Sequence, residues 1–360
     1  MLVCVWCWND RFLGCDMGLR AWAAVFCVVA PSVGVAGTYT LQPIAIPGAS
    51  GVWAAGVNDS KTIIGLYTVP GQGEPAGFVG QLGQIATLPL QGSYLGSPQS
   101  GIASPSGINN EGTIAGTFLL GSNIEIFTFK GRQYAQHGVA SGVLYGTFLP
   151  YVGTADHIAY DVYEAHGQTD PQAGTLASQA LLDIGHFGVE VASINGHSQA
   201  AGQYLVQVGK YYRPAVFLTT ATHTPLRLTP ILPPHAQAAY GGWINDSAMI
   251  AGSYADAAGG LRGFVLANHV VTSFDMPTKA QTLITQGIDE SGRVVGTYSD
   301  GVARYGFIYA GGAVSILGTF AATDTVHVGI SPFARGIVVA HSNGAVAESW
   351  LASCKPGSGC

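Results

Sequence analysis

Seven times the chain returns to one short phrase: a small residue, an aliphatic, Asn or Asp, a turn, two aliphatics, Gly, then an aromatic. Clear copies are GVNDSKTIIGLY (56–67), GINNEGTIAGTF (107–118), SINGHSQAAGQY (193–204), WINDSAMIAGSY (243–254) and GIDESGRVVGTY (287–298). Their anchors are Asn58, Asn109, Asn195, Asn245 and Asp289. A decayed copy, VGTADHIAYDVY (152–163), anchors at Gly153 and divides the long gap between Asn109 and Asn195. A last copy, GISPFARGIVVAHS, anchors at Ser331. Anchor-to-anchor spacings then run from 42 to 51 residues. A fixed period of this length implies an array of similar small units.

Each unit reads as four short strands. In the sixth, TLITQGI (282–288), RVVGTY (293–298), YGFIYA (305–310) and AVSIL (313–317) are separated by DESG, SDGVAR and GG. Short β-rich runs between Gly- and Asp-rich turns carry strand and hairpin signals. Four strands per 40 to 50 residues is the blade of a β-propeller. The expected fold is therefore all-β, one seven-bladed propeller over 37–353. Only 9% of residues are charged, as suits blades packed face to face with strands buried on both sides. TYTLQPIAIPG (38–48) resembles a fourth strand, whereas the last unit stops after its third, near ESWLAS. The N-terminal segment is expected to supply the missing outer strand and close the ring, leaving no open edge. Gly65, Gly116, Gly202, Gly252 and Gly296 are expected to let strands or blades approach closely. The Asx pairs at the anchors suit turns in which the side chain bonds its own backbone. An isolated calcium site there is the minor alternative.

Residues 17–36, MGLRAWAAVFCVVAPSVGVA, have the charge, apolar core and small-residue end of a secretory signal and fall short of a membrane span. Residues 1–16 in front of it suggest that translation starts at Met17 rather than Met1. Cys4 and Cys7 form a C-x-x-C with no second pair to complete a zinc site. Beyond position 36 only Cys354 and Cys360 remain, expected as a small disulfide loop in the tail 354–360 in an oxidising compartment. A net charge of −6 without basic runs argues against nucleic acid as a partner. The expected location is periplasmic or extracellular, and the expected state a monomer.

The anchors, the Gly-Phe pairs that follow them (Gly77-Phe78, Gly263-Phe264, Gly306-Phe307) and the signal resemble the bacterial extracellular HAF-repeat family. The resemblance covers nearly all of the chain after Thr38. It implies secretion and a repeat fold, and no activity. The His-Ala-Phe triplet of the family is replaced here by Pro-Ala-Gly-Phe, Pro-Ala-Val-Phe or Arg-Gly-Phe, so only the Phe, expected in the core, is retained.

Ligands are expected on the face built by second-to-third-strand loops and by blade-to-blade loops. Three groups stand out. The divergent third unit holds His157, Asp161, Glu164 and His166, with Asp156 and Asp170 beside them. Imidazole and carboxylate together suit a divalent metal or an acid–base pair; a repeat that has drifted polar is the plain reading. The fourth unit carries Lys210, Tyr211, Tyr212 and Arg213, a cation–aromatic loop suited to sugar rings. Arg262 and Arg304, expected on equivalent loops, would extend it to a positive sector; ordinary loop solvation is the alternative. His327, Thr325, Tyr240 and Gln286 are expected on or beside the innermost strands lining the channel. There is no G-x-S-x-G, H-E-x-x-H or phosphate loop, and nothing calls for a cofactor. The reading is a secreted scaffold that binds a glycan or a protein partner. A carbohydrate-active enzyme, such as a polysaccharide lyase, and a purely structural propeller are the alternatives.

Overall fold

The computed structural model of the chain describes residues 39–72, 75–88, 103–120, 123–137, 151–152, 158–162, 172–175, 180–183, 190–197, 199–219, 228–332 and 335–355. Among these there is no helix. Strand β1 (Tyr39–Pro43) is followed by a sheet of β2 (Gly51–Val57), β3 (Ile63–Thr68), β4 (Ala76–Gln81) and β5 (Gln84–Thr87). The next is β6 (Ala103–Ile108), β7 (Ile114–Leu120), β8 (Asn123–Lys130) and β9 (Gln133–His137). The decayed third copy folds as β10 (Tyr151–Val152), β11 (Ile158–Val162), β12 (Gln172–Thr175) and β13 (Ala180–Asp183). There follow β14 (Glu190–Ile194), β15 (Ala200–Val208), β16 (Tyr211–Thr219) and β17 (Leu228–Ile231), then β18 (Ala238–Ile244), β19 (Ile250–Ala255), β20 (Leu261–Ala267) and β21 (Val270–Phe274). The sixth copy gives β22 (Thr282–Ile288), β23 (Val294–Ser299), β24 (Ala303–Ala310) and β25 (Ala313–Ala321). The chain ends in β26 (Thr325–Ile330), β27 (Ile337–Ser342) and β28 (Ala347–Cys354). Every sheet is antiparallel and four-stranded, a meander of consecutive strands in all but the last, whose order is β1-β28-β27-β26; this is the architecture of a β-propeller.

The core lies between successive sheets. Phe274 of β21 stacks on Tyr309 of β24 with ring centroids 4.0 Å apart and planes 8° from parallel. The Phe of each clear Gly-Phe pair is fully buried: Phe78, Phe264 and Phe307 are all at 0% exposure. The glycine that precedes the aromatic on each second strand makes this possible. A Cβ on Gly296 would run into the carbonyl oxygen of Ile284 on the inner strand and the ring of Phe307 on the third. Gly252 is hemmed in the same way by Tyr240 and Phe264. The glycine is therefore the slot across which the third-strand Phe reaches the first strand of its own sheet.

The first and last sheets are joined in three ways. β1 pairs with β28 along its whole length, from Tyr39 opposite Cys354 to Pro43 opposite Trp350, so it is the outer strand of the last sheet. The Ser349 hydroxyl accepts from the Ala54 amide at 2.9 Å and donates to the Val52 carbonyl at 2.8 Å, stitching β28 to β2. Ile44, Val52, Phe78, Val338 and Leu351 share one apolar cluster. Cys354 is disulfide-bonded; Cys360, its expected partner, lies outside the described residues.

Removing residues 39–46 is expected to lower the melting temperature of the whole propeller in one cooperative step. The loss exposes the edge of β28 and forfeits about 1.5–3 kcal/mol for each of the buried Tyr39 and Ile44 side chains. A truncated protein that melts at the full-length temperature would show that this strand does not close the structure.

Candidate functional site: the channel and its anchor ring

The inner strands are not smooth. β2, β6, β14, β18 and β22 each carry a register shift two to four residues before the anchor, centred on Ala55, Ser106, Ala192, Gly242 and Gln286. A bulge puts two residues opposite one and re-aims the extra side chain. Ala55, Ser106 and Gln286 are thereby turned to the wall of a central cavity of about 510 Å³. Trp53, Trp243, Ile284, Thr285 and His327 also line it. The wall is completed by the anchors Asn109, Asn195 and Asn245 with Asp246 and Glu290. The cavity thus sits toward the first-to-second-strand turns. The loops on which the sequence reading expects ligands lie at the opposite end. His327 and Gln286 do line the channel; Thr325 and Tyr240 sit on the inner strands β26 and β18 but outside the cavity wall.

The anchors do more than shape their own turns. Each buried Asn uses its carbonyl oxygen locally, accepting for example from the amides of Thr62, Thr113 and Met249 four residues on. In Asn58, Asn195 and Asn245 the amide group reaches to the next sheet. Asn58 donates to the Asn109 carbonyl at 3.1 Å, Asn195 to that of Asn245 at 3.1 Å, and Asn245 to that of Asp289 at 2.7 Å. The following residues repeat the pattern. The Asp59 amide donates to Asn110 Oδ1 at 2.9 Å, that of Gly196 to Asp246 Oδ1 at 2.6 Å, and that of Asp246 to Glu290 Oε1 at 2.8 Å. The acidic lining residues Asp246 and Glu290 are thus engaged in strapping turns together. Asp289 is the one Asp among the clear anchors. Its carboxylate is fully buried, and the Arg293 side chain, four residues on, donates to it at 2.7 Å. The same position in the other clear copies holds uncharged Thr62, Thr113, Gln199 and Met249.

His327 is held by the Ala55 carbonyl, 3.1 Å from its Nε2, and lies against Trp53 with ring centroids 6.4 Å apart. A carbonyl only accepts, so Nε2 carries the proton and Nδ1 is the acceptor of the neutral ring. Burial pushes the imidazole below its ordinary value, only partly offset by the bond to Ala55.

The cation–aromatic group is not a loop. Gly209 and Lys210 form a two-residue turn, and Tyr211, Tyr212 and Arg213 belong to β16, paired with Val208, Gln207 and Val206. The alternation of LVQV against YYRP is a hairpin signal that the loop reading passed over. Tyr211 and Tyr212 are 62% and 57% exposed, and the Lys210 ammonium lies 5.2 Å from the Tyr211 ring centre. The positive sector does not form as expected. Arg262 is held by Asp275 through two bonds of 2.6 and 2.7 Å, and the pairing holds the Asp275 carboxyl below the usual carboxylate range. Arg304 lies three residues before Phe307 on β24, whereas Arg213 and Arg262 lie four and two before theirs. Strand alternation therefore places it on the opposite side of its sheet, and its Nε is buried without a hydrogen-bond partner. His157, Glu164 and His166 fall outside the described residues. Asp161 is on β11, opposite Ala173, with its side chain undescribed. Among the described residues no three His, Cys, Asp or Glu side chains are placed to hold a metal.

No family model and no curated protein sequence matches the chain. Solved structures do. A streptogramin B lyase is similar at 12% identity and a TM-score of 0.50, over 88% of this chain and 98% of that one. YCF48 from Cyanidioschyzon merolae gives 10% identity and 0.51, over 88% and 99%. A prolyl endopeptidase gives 10% and 0.52 over 85% of this chain, which spans only 47% of that longer protein. At these identities the likeness is one of fold, and the fold is the β-propeller.

Two outcomes test the anchors and the channel beside them. Arg293→Met removes the cation from a buried carboxylate, leaving it the Ser291 and Arg293 backbone amides, and should cost roughly 3–5 kcal/mol in urea unfolding. Adding Asp289→Asn should return most of that loss, and a non-additive cycle is the signature. For His327, the unfolded imidazole takes its proton near pH 6.5, the folded one only at lower pH. Between the two values the unfolded chain binds more protons, so stability falls as the solution is acidified below about pH 6.5. His327→Phe should flatten that part of the melting-temperature profile; an unchanged slope would mean that the ring is not held neutral.

Proposed function

We propose that this is a secreted, non-enzymatic binding scaffold of the HAF-repeat kind. Its four-stranded sheets would form one seven-bladed ring closed by the N-terminal strand. It would work outside the cytoplasm and take a glycan chain or a protein partner on the face of the second-to-third-strand turns. One observation carries this reading: six of the nine exposed large apolar side chains among the described residues lie at that end, the others being Tyr240 and Ile284 on inner strands and Val270 at a third-to-fourth-strand turn. Val208, Tyr211, Tyr212, Val302 and Val346 lie at or beside second-to-third-strand turns, and Leu232 lies on the connection between β17 and β18. Exposed apolar residues gathered on one face mark interaction surfaces, and Tyr adds a polar tip to an apolar ring. The signal-like residues 17–36 and the disulfide-bonded Cys354 favour an oxidising compartment. No helix among the described residues is long and apolar enough to cross a membrane.

A lyase reading has its motive in the streptogramin B lyase likeness, which extends to fold alone. The residues that would carry such chemistry, His157 and His166, lie outside the described part. The cavity lends it no support, since Asp246 and Glu290 already bind backbone amides.

The test is a glycan array followed by calorimetry on any hit, with Tyr211→Ala/Tyr212→Ala beside the unaltered protein. Loss of two exposed aromatic contacts should weaken binding about tenfold or more at an unchanged melting temperature. Full-strength binding by the variant would move the site off this face.

A further inference from the structure

The cavity at the anchor end of the channel is a separate feature, facing away from the exposed tyrosines, and its lining breaks the repeat. Two residues before the anchor four units carry Gly (Gly56, Gly107, Gly287 and Gly329), the fourth Ser193 and the divergent third Tyr151, where the fifth carries Trp243. The indole is fixed in place, its Nε1 donating to the Thr285 carbonyl at 2.7 Å. At the bulge the units carry Ala55, Ser106, Ala192 and Gly242, where the sixth carries Gln286. The bulk added at these two positions serves no turn and belongs to no anchor bond. It lines the same cavity as Trp53 and His327.

The polar groups are arranged as a donor and an acceptor. Gln286 Oε1 accepts from the Val328 amide at 3.0 Å, which fixes the side chain and leaves its NH₂ as donor. His327 gives its Nε2 proton to Ala55, which leaves Nδ1 as acceptor. Thr285 Oγ1 is buried and has no partner. Among the described residues no cation lines the space, and the two carboxylates in its wall are engaged by backbone. The volume, about 510 Å³, falls in the range of small-molecule sites. Indole faces, a neutral donor–acceptor pair and no opposing charge suit a ring with apolar C–H faces and hydroxyl edges. A carboxylated sugar would meet no cation among the described residues here.

We propose that the anchor end of the channel is a binding site for a neutral saccharide unit, with Trp53 and Trp243 against the ring and Gln286 and His327 bonding its hydroxyls. The experiment is a titration of tryptophan fluorescence with glucose, galactose, N-acetylglucosamine, cellobiose and maltose, with galacturonate as the charged comparison. A saturable change with at least one neutral sugar, and a response to galacturonate weaker by about tenfold or more, is expected. Gln286→Ala and His327→Phe should each weaken the binding by about five- to tenfold, the loss of one hydrogen bond. Tyr211→Ala/Tyr212→Ala should leave it unchanged, which separates this site from the outer face. Because His327→Phe can alter packing, Gln286→Ala at an unchanged melting temperature is the deciding variant. No saturable change with any of the five neutral sugars, or binding that Gln286→Ala leaves at full strength, would overturn the proposal.

Discussion

The hydrogen bond from one anchor amide to the next anchor carbonyl is the contact on which the arrangement of the sheets rests. A buried carboxamide has two jobs to give away, an acceptor and a donor, and both must be filled. The acceptor closes the local turn, and the donor crosses to the next sheet. Asn is thus a more specific choice than a turn alone requires, since Asp or Ser would close the turn nearly as well. Each such bond is worth only ~1 kcal/mol net, but an unfilled buried amide costs about 1–3 kcal/mol. Sheets that slid or rotated against one another would leave several unfilled together. Apolar packing between sheets supplies most of the attraction; the anchor bonds decide the register in which it is realised.

Asp289 shows the same constraint from its exception. A carboxylate cannot donate, so the amide's crossing bond is missing from that side chain. The crossing is made one residue later, where the Glu290 backbone amide donates to the Pro332 carbonyl at 2.7 Å. The remaining difficulty, a charge at 0% exposure, is met by Arg293. Two departures from the repeat, at 289 and 293, are one physical event. The last anchor, Ser331, keeps the local half of the role: its Oγ accepts from the Gly336 amide at 3.0 Å.

Much of this was legible before any coordinates because a repeated pattern states its rules several times. The four strands per unit, the outer-strand role of residues 39–43 and the burial of Phe78, Phe264 and Phe307 all follow from spacing and alternation. The crossing bonds were not legible, because their partners are 44 to 51 residues apart and are backbone carbonyls, which leave no trace in side-chain identity. The bulges escaped for a related reason: the extra residue is defined by its partner strand. The pairing of Arg262 with Asp275 was within reach, since the two flank Gly263 and Phe274, which face each other in the β20–β21 register. Reading Arg262 as a free cation overlooked its cross-strand neighbour. Reading residues 210–213 as a loop let the Gly-Lys turn outweigh the alternation on either side of it.

The repeat also separates what holds the fold from what is left for function. Positions under structural constraint are filled alike in unit after unit: anchor, slot glycine, third-strand Phe. A position where one unit places Trp and its counterparts mostly place Gly is under no such common demand, and neither is a bulge that holds Gln once and small residues elsewhere. Trp243 and Gln286 occur in neighbouring units and line one cavity. Drift would scatter such departures over all faces of the sheets. Their meeting in the lining of a single cavity, together with Trp53 and His327, is what gives the channel a chemical character that the repeat alone does not confer.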